Sequence, residues 1–488
     1  MLMPHLDRRR FLTALGAGAS ALACASPEPE QPKPWNIVWI IADDLSPDLG
    51  CYGNADVSTP NIDRLASEGA RFTNAFVPAP VCSPSRSAFI TGMYQTSIGA
   101  HNHRSHRDDD YRLPEPVRPI TDYLREAGYY TVNENSGLGG RPKTDYNFNF
   151  DEGYQVFDGT DWTERAEGQP FYAQVNIFEP HRGRPPEIWS FTDDLPEAER
   201  IDPASVTLPP YYPDDPIVRK DWAGYLDAVQ LLDKKVGNVL AALEEQGVAD
   251  HTIVVFIGDH GRPMPRDKQF LYDGGIKIPL IIRWPGELEP GSVRDELVST
   301  IDLSASALDW AGAEAPEHME GRVFLGPNKG APREYVFAAR DRCDETVDRI
   351  RAVRDKRYKY IRNFMPERPY MQLNRYKEIS YPSWRQLKRL HAAGKLTNEQ
   401  GLFLSKIRPE EELYDTESDP YELHNLAGSE EHGEILDRMG TVLNLWIQAT
   451  GDHGETPEDP SIQPQFEKQM IEVYQDLYEE IEAAEGAW

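Results

Sequence analysis

Two apolar runs that each stop abruptly on acid constrain this chain more than any other feature. WNIVWIIADD, residues 35–44, stays apolar for the length of a buried strand and stops at Asp43 and Asp44. TIVVFIGDHG, residues 252–261, repeats the design and stops at Asp259 and His260. A strand that is apolar on both faces needs a layer above and below it, which the helices of an α/β fold supply. One such helix is legible ahead of the second run. Leu226, Val229, Leu232, Val236, Val239, Leu240 and Leu243 recur at helical spacing, and Gly247 stands where a C-terminal cap is wanted. PLIIRWPG, residues 279–286, reads as a further strand with a turn at Pro285-Gly286.

Ligand sites in open α/β sheets gather beyond the carboxyl ends of the strands, so the two acidic tips are expected side by side. Asp43, Asp44 and Asp259 together then make an oxygen-rich cation site. Taken singly, each would serve as a helix cap or turn residue.

Charge narrows the partners. With 81 acidic against 51 basic residues and a net charge of −30, nonspecific nucleic-acid binding is disfavoured. An anionic substrate would need a local basic pocket. The 488 residues suffice for one large domain and a smaller one, and no apolar run is long enough to span a membrane. At the start, Arg8-Arg9-Arg10-Phe11-Leu12 leads into a small apolar stretch and then SPEPEQPKP. This resembles a twin-arginine signal, making residues 1–33 an export signal and linker for the twin-arginine translocase. Cleavage after Ala25 would give a periplasmic protein, and cleavage before Cys24 a lipid-anchored one.

Beyond the signal, Cys51, Cys82 and Cys343 are too few for a disulfide framework. Cys51 and Cys343 read as small buried or half-buried residues. Cys82 has different company: it opens CSPSRSAFITG, residues 82–92. Pro84 suits the first turn of a helix whose amides would face an anion, and Arg86 follows one turn on, along the same face.

That motif resembles the signature of type I sulfatases in the alkaline-phosphatase-like superfamily, with Ile90 where the family usually has Leu. NIVWIIADD, the helix from Tyr225 to Gly247, GDHG, LYDGGIKIPLIIRWPG and ELYDTESDPYELHNLA follow in the family's order, so the resemblance spans about residues 34–430. It implies an α/β catalytic domain over 34–330, with a large mixed sheet flanked by helices. A smaller α+β domain with an antiparallel sheet follows over 331–488. Within the latter, DRIRAVRDKRYKYIRNF alternates charged with apolar residues, as on a half-solvated sheet, and residues 434–488 read as a helical, acidic packing or solvated tail.

The resemblance also implies a chemistry. Cys82 would be oxidised to formylglycine (3-oxoalanine) by a formylglycine-generating enzyme, and one hydroxyl of its hydrate would attack sulfur. Asp43, Asp44, Asp259 and His260, with the modified Cys82, would hold calcium, with magnesium as the alternative. Arg86 would bridge nucleophile and sulfate. His181, in FEPHRG, would hydrogen-bond the sulfate or leaving oxygen. Lys268 would contact the sulfate and help protonate the leaving alcohol, with Arg266 in its place if the register slips by two. The family's GKWH run is absent after GYYTV. Lys143 in GGRPKTDYNF takes the lysine's place and Asp145 the histidine's, the other reading being a surface turn with a solvated lysine.

The expected activity is hydrolysis of sulfate esters, or N-sulfates, of sulfated sugars, nearest the heparan N-sulfatase-like and polysaccharide sulfatase branch. Arg340 and Arg342 are expected to pair with a uronate or a neighbouring sulfate at the pocket mouth, and Asp344 and Glu345 to hold sugar hydroxyls, the alternative being a salt-bridged strand edge. Aryl sulfates are expected to be poor substrates. The rival readings are a phosphonate or phosphate ester hydrolase of the same fold and a non-catalytic glycan-binding protein.

Overall fold

A computed structural model describes residues 34–484 apart from 108, 186 and 187. The expected export signal, with Arg8 to Arg10 and Cys24, lies outside the described residues.

The first apolar run forms β1 (Asn36–Ala42) and the second forms β5 (Thr252–Gly258). With β2 (Ala70–Phe76), β3 (Tyr130–Asn133), β4 (Phe171–Ile177), β6 (Lys277–Arg283) and β7 (Ser292–Ser299) they make one sheet in the order β3-β4-β1-β5-β6-β2-β7. Only β6 runs against its neighbours, so the sheet is mixed. Every residue of β1, β4 and β5 is buried. Their alternating side chains enter two different cores. Val38 and Ile40 meet Leu226, Val229 and Val236 of the Pro216–Glu245 helix. Ile37, Trp39 and Ile41 share the opposite core with Phe89 of the Cys82–Thr91 helix and with Leu303 and Leu308 of the Thr300–Trp310 helix. Each such aliphatic side chain contributes about 1.5–3 kcal/mol by leaving water, which holds both helices against the sheet.

The long helix starts earlier than its apolar spacing indicates. Pro216 supplies a preset φ at its first turn, and the Asp215 carboxylate accepts from the Ile217 N–H at 2.9 Å. It ends as expected: Gly247 adopts φ +66°, and the Val248 N–H reaches back to the Leu243 carbonyl at 3.0 Å.

A second, wholly antiparallel sheet has the order β11-β10-β9-β8, built from β8 (Val336–Arg340), β9 (Ile350–Arg354), β10 (Tyr358–Asn363) and β11 (Glu411–Asp415). It is not half-solvated. All five residues of β9 are buried, with Ile350 and Ala352 in the main core. Val353 packs with Met439, Leu443 and Trp446 of the Gly433–Thr450 helix. The alternating charge that suggested solvent encodes ion pairs instead: Arg351 donates to Asp452 at 2.6 Å and to Asp341 at 3.0 Å. A further helix, Ile462–Ala484, follows. Among the described residues no helix is long and apolar enough to cross a membrane.

Candidate active site

Ala42 pairs with Ile177 of β4 and with Gly258 of β5, so three parallel strands end at one level. The Asp43 N–H continues the ladder to the Ile177 carbonyl at 3.1 Å, and the Asp259 N–H continues it to the Ala42 carbonyl at 2.9 Å. Asp44 then leaves the strand at φ +66°, a left-handed conformation that short polar side chains tolerate better than most. Its N–H donates to Asp259 Oδ1 at 2.9 Å. The acidic tips therefore stand side by side, and Asp43, Asp44, Asp259 and His260 are all fully buried.

Cys82 is brought to this cluster as the first residue of the Cys82–Thr91 helix, every residue of which is buried. Its Sγ lies 3.3 Å from His260 Nε2, 3.9 Å from Lys268 Nζ and 4.0 Å from Asp43 Oδ1. One helical turn on, Arg86 donates through Nε to Asp259 Oδ2 at 2.9 Å and through Nη1 to Asn176 Oδ1 at 2.7 Å. Arg86 Nη2 is buried without a hydrogen-bond partner, 3.6 Å from Asp43 Oδ1. Ser85 Oγ donates to the Asp259 carbonyl at 2.5 Å and so pins the helix start to the end of β5.

The expected cations converge here. Lys143 Nζ donates to both Asp43 oxygens, at 2.6 and 2.7 Å, and lies 3.9 Å from Asp259. The Lys143 side chain is thus 12% exposed and held against the acidic cluster, not a solvated turn lysine. Asp145 turns away from the cluster, to Arg107 at 2.5 Å and Arg104 at 3.4 Å. Lys268 Nζ donates to both Asp44 oxygens at 2.9 and 2.7 Å. The slipped register is excluded, because Arg266 points elsewhere and donates to the Tyr421 and Glu422 carbonyls at 2.9 and 2.6 Å. His181 Nε2 lies 3.9 Å from Asp44 Oδ2, while its Nδ1 is 2.7 Å from the Arg182 carbonyl. A carbonyl only accepts, so Nδ1 carries the proton and Nε2 faces the cluster.

Three buried carboxylates meeting these cations titrate abnormally. Burial alone would push Asp43 up, but Lys143, then His181 and Arg86, hold it well below the usual carboxylate range. Asp44 is likewise lowered against burial, chiefly by Lys268. Asp259 is raised, by burial and by the neighbouring Asp43 charge. Burial pulls His260 down, yet Asp259 and Asp44 outweigh it and raise it to about 10. His181 is lowered to about 4, first by burial.

The donor chemistry fits a metal ion. Asp44, Cys82 and His260 form one buried group with converging ligand atoms, and Asp43, Cys82 and Asp259 form another. His260 Nδ1 lies 2.9 Å from the Gly261 carbonyl, which fixes that proton and aims Nε2 at the carboxylates. Three carboxylates and an imidazole suit a hard divalent cation.

The expected sugar contacts are corrected. Arg340 is 4% exposed and pairs with Asp348 and Thr346. Arg342 is 1% exposed, donates to Glu458 at 2.5 and 3.1 Å, and lies 3.8 Å above the Phe466 ring. Asp344 accepts from Gln269 and pairs with His103, and Glu345 accepts the Arg375 N–H. Arg342 thereby ties the segment after β8 to the chain's last helical segment, and the side chains of the other three pair elsewhere within the fold. Three site residues escape sequence reasoning: Arg141, which donates to Asp43 Oδ2 at 2.5 Å; Asn176, which holds Arg86; and Tyr376, whose ring centroid lies 5.6 Å from Lys268 Nζ. Arg141 and Lys143 are brought to the same carboxylate by a tight turn, in which the Lys143 N–H donates to the Arg141 carbonyl at 2.7 Å.

The family model described as Sulfatase matches residues 35–313, and one described as N-sulphoglucosamine sulphohydrolase, C-terminal, matches residues 258–378. The chain is 36% identical to an ulvan-active sulfatase of Formosa agariphila, covering 89% of this chain and 78% of that protein. It is 27% identical to the N-sulphoglucosamine sulphohydrolase of Homo sapiens, covering 91% of this chain and 96% of that one. A solved structure of a 2-O GAG sulfatase superposes with a TM-score of 0.63 at 22% identity, covering 88% of this chain and 96% of the other. The last likeness gives the fold: a mixed sheet flanked by helices and a smaller antiparallel sheet.

Proposed function

This chain belongs to the sulfatase family and is a sulfuric ester hydrolase; we propose that it desulfates sugars of anionic polysaccharides, using Cys82 matured to formylglycine and a divalent cation, calcium first. The observation that carries this reading is that Lys268 stands 3.9 Å from Cys82 Sγ while Arg86 and Lys143 converge on Asp43, 4.0 Å from the same sulfur, in a chain of net charge −30. So many cations around one small residue describe a pocket for a tetrahedral anion.

The chain's own groups divide the work. Asp43, Asp44, Asp259 and His260 would hold the cation, which supplies acidification of the nucleophile and charge for the sulfate oxygens. Formylglycine would supply a hydroxyl nucleophile and, in the same group, the means to release sulfate without attack by water. Arg86 is fixed by Asp259 and Asn176 and keeps Nη2 for a substrate oxygen. Lys143, held by Asp43, and Lys268, held by Asp44, would both meet the sulfate. Lys268 is raised well above the usual lysine range, against burial, by Asp44, so it stays charged and delivers a proton only as negative charge grows on the leaving oxygen. His181 is neutral above about pH 4 and offers Nε2 as an acceptor to a substrate hydroxyl or N–H.

The sugar class rests on the relatives: one is named as ulvan-active and another as acting on N-sulphoglucosamine. Arg104, whose N–H donates to Ser83 Oγ at 2.9 Å and whose side chain is 36% exposed and 3.4 Å from Asp145, would meet a uronate or second sulfate. The reading extends to export by the twin-arginine route through Arg8 to Arg10. The deciding experiment joins peptide mass spectrometry at Cys82 with a panel of sulfated oligosaccharides beside a chromogenic aryl sulfate. Unmodified cysteine in active protein, or efficient aryl turnover with no sugar desulfated, would overturn it.

A further inference from the structure

The segment from His260 to Ile276 has two sides. Lys268 faces Cys82, whereas Arg262 and Arg266 line a separate open cavity of about 470 Å³ between the first sheet and residues 416–422. Five basic side chains line that cavity, against only Asp48, Asp273 and Glu422. Those acids are already engaged. Lys359, beneath the cavity, pairs with Asp273 at 2.7 Å and Glu422 at 2.6 Å, and Arg262 pairs with Asp48 at 3.0 Å. Arg71 of β2 and Lys277 of β6 have no ion pair or hydrogen-bond partner for their side chains among the described residues. Their cations rest instead near the Tyr52 ring, at 5.0 Å, and the Phe76 ring, at 5.9 Å. Arg354 is 4% exposed, reaches Asp273 only at 3.4 Å, and has a buried Nε with no partner.

Such an excess of positive charge is costly to keep together unless an anion shares the space. It is also out of character for a chain of net charge −30. Tyr421, 43% exposed, offers a flat apolar surface at the rim of the same cavity. We propose that this cavity, walled by Arg71, Arg266, Lys277 and Arg354, is a second, non-catalytic site for a sulfate or carboxylate oxyanion. Guanidinium and ammonium groups recognise that chemistry, and an aromatic rim accommodates the sugar that carries it. Two sources share the chemistry: inorganic sulfate released by the enzyme, and an anionic residue of the polysaccharide further along the chain. The inference does not depend on the reading of Cys82, because its readout is binding and not turnover.

The test is equilibrium dialysis of the full-length protein against radiolabelled inorganic sulfate, and of Cys82→Ala protein against a defined sulfated, uronate-containing disaccharide. The intact protein is expected to take up two sulfates. Arg71→Met/Lys277→Met, which keeps the apolar stems, should lose one of them by at least tenfold in affinity while kcat on sulfated sugar stays unchanged. Lys143→Ala should lose the other. Arg71→Glu alone serves as the second variant should the double one fold poorly. Retention of the disaccharide more tightly than sulfate assigns the site to the sugar chain, and the reverse assigns it to released product. Sulfate uptake that both Arg71 variants leave undiminished overturns the proposal, whatever the number of sulfates the intact protein binds.

Discussion

The Asp44 N–H donates to Asp259 Oδ1 across 2.9 Å, tying the ends of two strands that lie 215 residues apart in sequence. Asp259 also receives Arg86 through its other oxygen. One carboxylate therefore aligns a backbone turn, a guanidinium and a candidate metal ligand at once.

Asp259→Asn removes the charge and keeps the size. We expect stoichiometric divalent cation in the parent by metal analysis, loss of most of it in the variant, and turnover down by at least ~10²-fold, since Arg86 loses its anchor as well.

Removing the cation should itself destabilise the fold. Asp43, Asp44 and Asp259 are fully buried together, and a ligand that binds only the folded state adds ~2.7 kcal/mol at a hundredfold excess over its Kd. Chelation should lower Tm and abolish activity, and calcium should restore both. Cation affinity should fall with decreasing pH, because a proton on His260 Nε2 competes for the same lone pair.

Lys143 and Arg141 both grip Asp43, but their exposure separates them. The Lys143 side chain is 12% exposed and that of Arg141 40%. Lys143→Ala should cut kcat by ~10²-fold, as expected for a desolvated charge at the reacting centre. Arg141→Ala should cost less than ~10-fold on the same sulfated substrate.

His103 gives a pH signature outside the metal cluster. Burial, then Arg104, lowers it to about 4 against an ordinary 6.5, although Asp344 opposes the shift. The folded state thus refuses a proton that the unfolded chain accepts. Above pH 6.5 both states are neutral and this contribution to stability is fully present. It drains away between pH 6.5 and about 4, and below that both are charged. Two to three pH units of window correspond to ~3 kcal/mol. Thermal melts across that range should be flatter for His103→Asn than for the parent.

Arg342→Ala should behave as a structural lesion. It strips Glu458 of its partner and Phe466 of its cation, costing ~1–3 kcal/mol in denaturant unfolding while leaving KM for sulfated sugars unchanged.

The features legible in the sequence were those in which a few adjacent residues determine the outcome. The acidic tips of β1 and β5 announced themselves because a doubly buried strand cannot hide a carboxylate except at its end. Cys82 and Arg86 were legible as one helical turn. Arg340 and Arg342 were misread for the converse reason: their partners are set by tertiary contact, and Glu458 lies 116 residues beyond Arg342. A local run of mixed charge looks the same whether it faces solvent, substrate or its own fold. Asn176 was hidden in the same way, as one of two buried amides in β4 that only the arginine it meets in space sets apart.

If Cys82 is matured as proposed, its near-complete burial sets a clock on the protein's biosynthesis. Its side chain is 2% exposed, on a helix held between the sheet and the Thr300–Trp310 helix. No enzyme can thread that segment into its own cleft once the sheet has closed around it. On the proposed maturation, oxidation of the thiol and collapse of the chain would be competing first-order events, and the active fraction in any preparation would be their branching ratio. Two samples with the same Tm and the same mass to within one residue's modification could differ severalfold in specific activity, according to how quickly each was made.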